Sequence, residues 1–179
     1  MKTVFILAFA TLSIFKSFSQ NTTDTQAETF NFGLRHGYSS YNLISENEDI
    51  SDLNLYGGLF IAKRFSEKFA VQFETNYSGL SILHFPLLLK YRITDKFELY
   101  GGAALDFSLE QQNTDEAFRN KRFGTSLILG VQYYIDTHWF IEARYIHGMT
   151  DQIPIFNGFD VEPIYAKKRS VNFGIGYKF

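Results

Sequence analysis

Four histidines, His36, His84, His138 and His147, are the side chains of this sequence best suited to take a proton near neutral pH. A histidine acting on a serine nucleophile needs hydrogen-bond reach to the hydroxyl and a third group to orient it. His147 could meet Ser126 or Ser170 across neighbouring extended segments. Such a site would lie on an outer wall and act on lipid. No Gly-x-Ser-x-Gly elbow, phosphate-binding loop or metal-spaced His and Cys cluster accompanies them, and the 179 residues contain no cysteine. Four acids close together, Glu46, Glu48, Asp49 and Asp52, could collect a divalent cation, but such a run reads more simply as a solvated loop. The sequence therefore implies no catalytic residue, metal or cofactor, and a net charge of -2 gives no reason to expect a nucleic-acid partner.

The charges that say more are those alternating with apolar residues. Glu142 and Arg144 interleave with Trp139, Ile141, Ala143 and Tyr145. Lys90 and Arg92 interleave with Phe85, Leu87, Leu89, Tyr91 and Ile93, and Glu98, Tyr100 and Asp106 with Phe97, Leu99, Ala103, Leu105 and Phe107. Arg35 and Glu74 sit in equivalent patterns, opposite Phe32, Leu34 and Tyr38 and opposite Val71, Phe73 and Tyr77. A two-residue period puts each set on its own face of an extended strand. Eight such segments are predicted, at about 29–41, 54–65, 69–77, 82–93, 97–109, 123–135, 139–150 and 169–179. The second is nearly apolar on both faces, and Arg64 assigns Tyr56, Gly58, Phe60 and Ala62 to the polar side.

Three stretches, Arg64-Phe-Ser-Glu-Lys-Phe-Ala-Val, Arg92-Ile-Thr-Asp-Lys-Phe-Glu-Leu and Tyr134-Ile-Asp-Thr-His-Trp-Phe-Ile, join segments through a few polar residues, as hairpin turns do. Longer segments alternate with them at 42–53, 110–122 and 151–168, and 78–81 is short. Tight turns at one end and long loops at the other, with no helical segment to cover the apolar faces, are the asymmetry of transmembrane barrels, whose short turns are periplasmic. In lipid only a closed sheet satisfies every backbone N–H and C=O. Eight antiparallel strands close an up-and-down barrel just wide enough for side chains to fill. Mean hydropathy of -0.13 does not oppose this, because alternating strands hide their apolar face from a sliding window.

Closure would gather Arg35, Arg64, Lys90, Arg92, Arg144 and Lys178 with Glu74, Glu98, Asp106 and Glu142 inside. An isolated buried charge costs several kcal/mol, so a lumen network of ion pairs that plugs the barrel is expected, with a narrow solute path as the alternative. Gly33, Gly37, Gly58, Gly102, Gly130, Gly174 and Gly176 fall on the same inner face and would leave room for long side chains. Tyr38, Tyr77, Tyr91, Tyr133, Trp139, Tyr145 and Tyr177 would form interfacial girdles. In the last long loop, Phe156, Phe159 and Tyr165 are apolar where water is expected, suiting either a partner contact or a cover over the mouth.

Met1-Lys2, the apolar run 3–15 and small Ser17 and Ser19 form an export signal, too short to span a bilayer as a helix, with cleavage expected after Ser19. The predicted organisation is a signal peptide at 1–19, a short periplasmic segment at 20–28 and a barrel at 29–179.

The signal ending Ser17-Phe-Ser-Gln, the stretch Phe85-Pro-Leu-Leu-Leu-Lys-Tyr-Arg, the Tyr100-Gly-Gly-Ala segment and terminal Phe179 resemble the small, porin-like outer-membrane β-barrel family of Bacteroidetes, which includes PorT-like proteins. The resemblance covers the mature chain and implies an outer-membrane location, outer-membrane lipid as surroundings and insertion by the barrel-assembly machinery. It implies that Phe173, Ile175, Tyr177 and Phe179 are the assembly signal. It also implies a structural, adhesive or secretion-accessory role through the outer loops, with a cell-surface or secretion-complex protein as partner. A small-solute porin, a lipid-modifying hydrolase and a soluble lipocalin-like ligand binder stand as alternatives; the last requires the apolar face to point inward.

Overall fold

The computed structural model describes residues 30–44, 49–79, 81–109, 121–155 and 164–179. They form nine strands: β1 Phe30–Ile44, β2 Asp49–Arg64, β3 Phe69–Ser78, β4 Ile82–Thr94, β5 Phe97–Ser108, β6 Phe123–Tyr134, β7 Trp139–Gly148, β8 Ile153–Ile155 and β9 Ile164–Lys178. Each of β1 to β7 pairs antiparallel with the next, β7 pairs with β9, and β9 pairs back onto β1. The wall is thus a closed eight-stranded antiparallel barrel, and β8 is a short strand laid beside the start of β9.

The two-residue period becomes an inside and an outside. In β3 buried and exposed residues alternate through all ten positions. On β6, Ile128 is 1% exposed and its neighbour Leu129 66%. The outer wall carries Leu34, Leu59, Phe73, Leu87, Leu105, Ile141 and Phe173, while Arg35, Glu74, Lys90, Glu98, Asp106, Glu142 and Arg144 are buried within. An apolar exterior around a charged interior excludes the lipocalin-like alternative.

Pro86 lies mid-strand in β4 and lacks the N–H a ladder needs. Pairing of β3 with β4 runs to Phe73–Leu87 and resumes at Asn76–His84, leaving a gap where Pro86 stands, while β5 pairs with it normally.

Two predicted loops are shorter than expected. β1 and β2 stay paired out to Ile44 and Asp49, so Asn42, Asp49 and Asp52 are strand residues and the loop shrinks to 45–48. Polar outward residues end the alternation signal there but not the ladder, which needs only backbone groups. Likewise 164–168 belongs to β9, held between the top of β1, where Ile44 faces Lys167, and β8, where Ile155 faces Ile164. The signal peptide, the segment 20–28, Glu46, Glu48, Phe156 and Phe159 lie outside the described residues.

Candidate functional site

The lumen is built in three tiers. At the centre, β1 supplies Arg35, β3 supplies Glu74, and β7 supplies Glu142 and Arg144, whose two-residue spacing points both inward. Arg35 Nη2 lies 2.9 Å from Glu74 Oε1, an ion pair without hydrogen-bond alignment, and Nη1 donates to Glu142 Oε2 at 2.9 Å. Arg144 donates to Glu74 Oε2 at 2.9 Å and to Glu142 Oε2 at 3.0 Å. The four residues close a ring of alternating charge across the barrel, with side chains no more than 1% exposed.

Neutral groups complete the carboxylates' valences. Tyr56 and Tyr100 hydroxyls donate to Glu142 at 2.9 and 3.2 Å, and the amides of Gln72 and Asn76 donate to Glu74 at 2.6 Å each. The Arg35 guanidinium lies 4.9 Å from the centroid of the Phe60 ring, and that of Arg144 lies 5.4 Å from Tyr100. The inner glycines make space for these rings. A Cβ on Gly130 would stand 2.4 Å from Tyr100 Cζ, and one on Gly174 2.2 Å from the Tyr56 hydroxyl.

Toward the short turns, Glu98 is the hub. It accepts from Arg64, from Lys90 Nζ at 2.8 Å, from Arg92 Nε at 3.4 Å and from the Tyr134 hydroxyl at 3.1 Å. Lys90 also donates to Gln132 at 2.7 Å. Lys178 completes the tier differently, with Nζ 5.5 Å from the centre of the Tyr134 ring and no ion pair among the described residues.

Toward the long loops, Asp106 is joined to His84 rather than to an expected cation. His84 Nδ1 lies 2.7 Å from Asp106 Oδ1 and Nε2 3.3 Å from Ser78 Oγ, while Ser126 donates to Asp106 at 3.2 Å and Lys168 to Ser78 at 3.4 Å. Ser78, His84 and Asp106 thus have the connectivity of a nucleophile, base and orienting acid. The cavity beside them measures about 10 Å³, space for no more than one water, so no acyl substrate fits. The other serine–histidine pairing fails on geometry, since Ser126 and Ser170 are buried in the lumen while His147 is on the outer wall beside Tyr145.

Above this tier Tyr41, Leu43, Ile82, Ile153 and Ala166 form an apolar buried cluster. Lys121 N–H donates to the Gln152 carbonyl at 2.9 Å, and Gln152 N–H to that of Ala166 at 3.1 Å, which hold the segment before β8 across the mouth. Tyr165, expected in a loop, is on β9 opposite Pro154, with Lys121 Nζ 4.4 Å from its ring centroid.

Parity located the charged members and placed Tyr56 and Tyr100 on the same inner face, but the hydrogen-bonding roles of the neutral groups, those two with Gln72, Asn76, Ser78, His84, Ser126, Gln132 and Tyr134, were not read. The same parity marks them, and His84 stands directly opposite Asp106 in the β4–β5 ladder. Lys168 was hidden by its assignment to a loop.

The family described as outer membrane protein beta-barrel domain matches residues 7–179. The chain belongs to this family. The barrel is accordingly an outer-membrane protein, embedded in lipid by the apolar wall described above. Its fold is similar to that of Ail, the attachment invasion locus protein of Yersinia pestis, solved in complex with the heparin analogue sucrose octasulfate. That match has a TM-score of 0.51 at 15% identity and covers 84% of this chain and 99% of Ail. Neisserial surface protein A is similar at a TM-score of 0.50 and 17% identity, with 83% of this chain and 97% of that one covered. Among curated proteins no sequence matches.

Proposed function

We propose that this outer-membrane barrel is sealed and non-catalytic and serves as an adhesive, structural or secretion-accessory component, making its contacts through the outer loops. The closed ring of Arg35, Glu74, Arg144 and Glu142 carries this reading, because ions crossing the lumen would have to break four buried pairs. The Ser78–His84–Asp106 set has no room for a substrate and acts as a structural pin. Use of the same architecture by a protein named for attachment supports the adhesive reading; a part in secretion rests on the resemblance to PorT-like proteins. The organisation goes with it: a signal peptide at 1–19, a periplasmic segment at 20–28, and a barrel whose last strand presents Phe173, Ile175, Tyr177 and Phe179 to the assembly machinery.

Planar-bilayer recording tests the seal. The wild type is expected to give no steady conductance, and Glu74→Ala with Arg144→Ala, which removes one cation and one anion, is expected to open one. A conducting wild type would establish the porin alternative instead. Photo-crosslinking from Tyr165 in intact cells tests the contact role, with capture of a cell-surface or secretion protein expected.

A further inference from the structure

The lumen charges are not balanced tier by tier. The central ring sets two cations against two carboxylates, and the tier near the long loops sets Lys168 against Asp106. The tier near the short turns holds Arg64, Lys90, Arg92 and Lys178 against Glu98 alone among the described residues. The cationic excess of the interior is therefore concentrated at its periplasmic mouth.

A cavity of about 50 Å³ lies there, lined by Arg64, Gln72, Lys90, Arg92, Tyr134 and Lys178 among others. One water needs about 10–15 Å³ on the same scale, so the space holds about three to five waters or one tetrahedral oxyanion. Lys90 and Glu98 form a fixed, buried floor, whereas the Arg64 and Arg92 side chains are 24% and 34% exposed and can be reached from water. The two guanidinium groups present planar, multidentate donors suited to phosphate. Gln72, buried in the same lining, keeps an amide oxygen with no hydrogen-bond partner, an acceptor for the hydroxyl of a protonated phosphate.

We propose that the periplasmic mouth of the barrel is a binding site for a phosphate group, borne by free inorganic phosphate or by a soluble phosphomonoester. Arg64, Arg92 and Lys178 bind it, Lys90 supplies charge from the floor and Glu98 positions Lys90 and both arginines. The site faces the lumen and not the lipid wall, so bilayer headgroups do not reach it. It needs no path through the central ring and so stands apart from the sealed-barrel reading.

The test is titration of the ¹⁵N-labelled barrel, folded in nonionic detergent micelles, with sodium phosphate and separately with glucose 6-phosphate, at ionic strength held constant with sodium chloride. Saturable shifts are expected at the amides of Arg64, Lys90, Arg92, Tyr134 and Lys178. Affinity should weaken at least tenfold in Arg92→Gln/Lys178→Met and stay unchanged in Lys96→Gln, a cation of the exposed β4–β5 turn. Saturation with phosphate assigns the free ion as a ligand; saturation with the sugar phosphate alone assigns the ester. Non-saturating shifts with both, or equal affinity in wild type and double variant, would overturn the proposal. Heat-dependent gel mobility reports whether the variants fold; if the double variant does not, Lys178→Met, which breaks no ion pair among the described residues, serves with a threefold weakening expected.

Discussion

Replacing Glu142 by Gln removes one negative charge from the most buried place in the barrel with almost no change of shape. Glu142 accepts from Arg35, Arg144, Tyr56 and Tyr100 at 2.9, 3.0, 2.9 and 3.2 Å. A glutamine retains one acceptor oxygen, which Tyr56 can use, but turns an NH₂ toward the two guanidinium groups and the Tyr100 hydroxyl, all of which donate to the other oxygen. Arg35 and Arg144 must then share Glu74, leaving one uncompensated cation with a side chain essentially without exposure. Breaking a buried pair by deleting one partner costs about 3–5 kcal/mol, and this is the loss expected for Glu142→Gln. Removing a complete pair should behave differently. Glu142→Leu with Arg144→Leu, combined with Tyr56→Phe and Tyr100→Phe so that no hydroxyl is left without its acceptor, leaves Arg35 matched by Glu74 and is expected within about 1 kcal/mol of the wild type or above it. Both are measured by urea unfolding of the barrel in phospholipid vesicles, followed through the fluorescence of Trp139, the single tryptophan, on the outer wall. A Glu142→Gln barrel within 1 kcal/mol of wild type would refute the claim that the ring is dry and mutually dependent.

Three further expectations use the same unfolding assay or its NMR counterpart. Gly130→Ala drives a Cβ to 2.4 Å from the Tyr100 ring and should cost about 1–3 kcal/mol, whereas at Gly57 the nearest atom is 3.5 Å away and Gly57→Ala should change stability by less than about 0.5 kcal/mol. Leu129→Arg, at a lipid-facing position 66% exposed in the protein alone, should cost about 2–4 kcal/mol in vesicles, and a neutral result would mean that this wall does not meet acyl chains. In the β6–β7 turn the Asp136 carboxylate accepts the N–H groups of Trp139 and His138, both at 2.7 Å, which hold its pKa below the ordinary range. A depressed folded-state pKa stabilises the turn above the unfolded value and loses that effect as pH falls through the folded one. The amide shifts of His138 and Trp139 should therefore titrate with a midpoint below about 3.9, and a midpoint at or above it would contradict the capping geometry.

What could be read from the sequence follows from the two-residue period, which states the face a residue occupies and nothing about the angle around the barrel. Arg35, Glu74, Glu142 and Arg144 were all legible as inward, yet their ring joins β1, β3 and β7, and β3 is not a ladder neighbour of either other strand. That meeting depends on closure and register, set by backbone pairing along every strand. The same gap explains His84, which parity places inside but only register sets against Asp106. Strand ends failed for a different reason: beyond the apolar band outward residues face water, so Asn42, Ser51 and Lys167 are free to be polar while their backbones continue the ladder.

The order of the tiers has a physical cause that the list of inward residues does not contain. Midway along the barrel a charge is farthest from both aqueous ends, and desolvation there is repaid only by matched partners. The centre accordingly holds a balanced ring, saturated by tyrosine hydroxyls and side-chain amides. At the mouth near the short turns, water reaches Arg64 and Arg92, so cations in excess of Glu98 can be tolerated. The opposite mouth is closed by Tyr41, Leu43, Ile82, Ile153 and Ala166, and beneath that apolar cover Lys168 donates to Ser78, which His84 links to Asp106, so that one cation stands with one carboxylate among the described residues. Neutrality is thus imposed wherever the lumen is dry, and net charge survives only at the wet end. Introducing a charge under the cover, as in Ile82→Lys, should therefore destabilise the barrel far more than adding one at the short-turn mouth, as in Ala62→Lys; equal effects in the vesicle unfolding assay would show that the two ends do not differ in hydration.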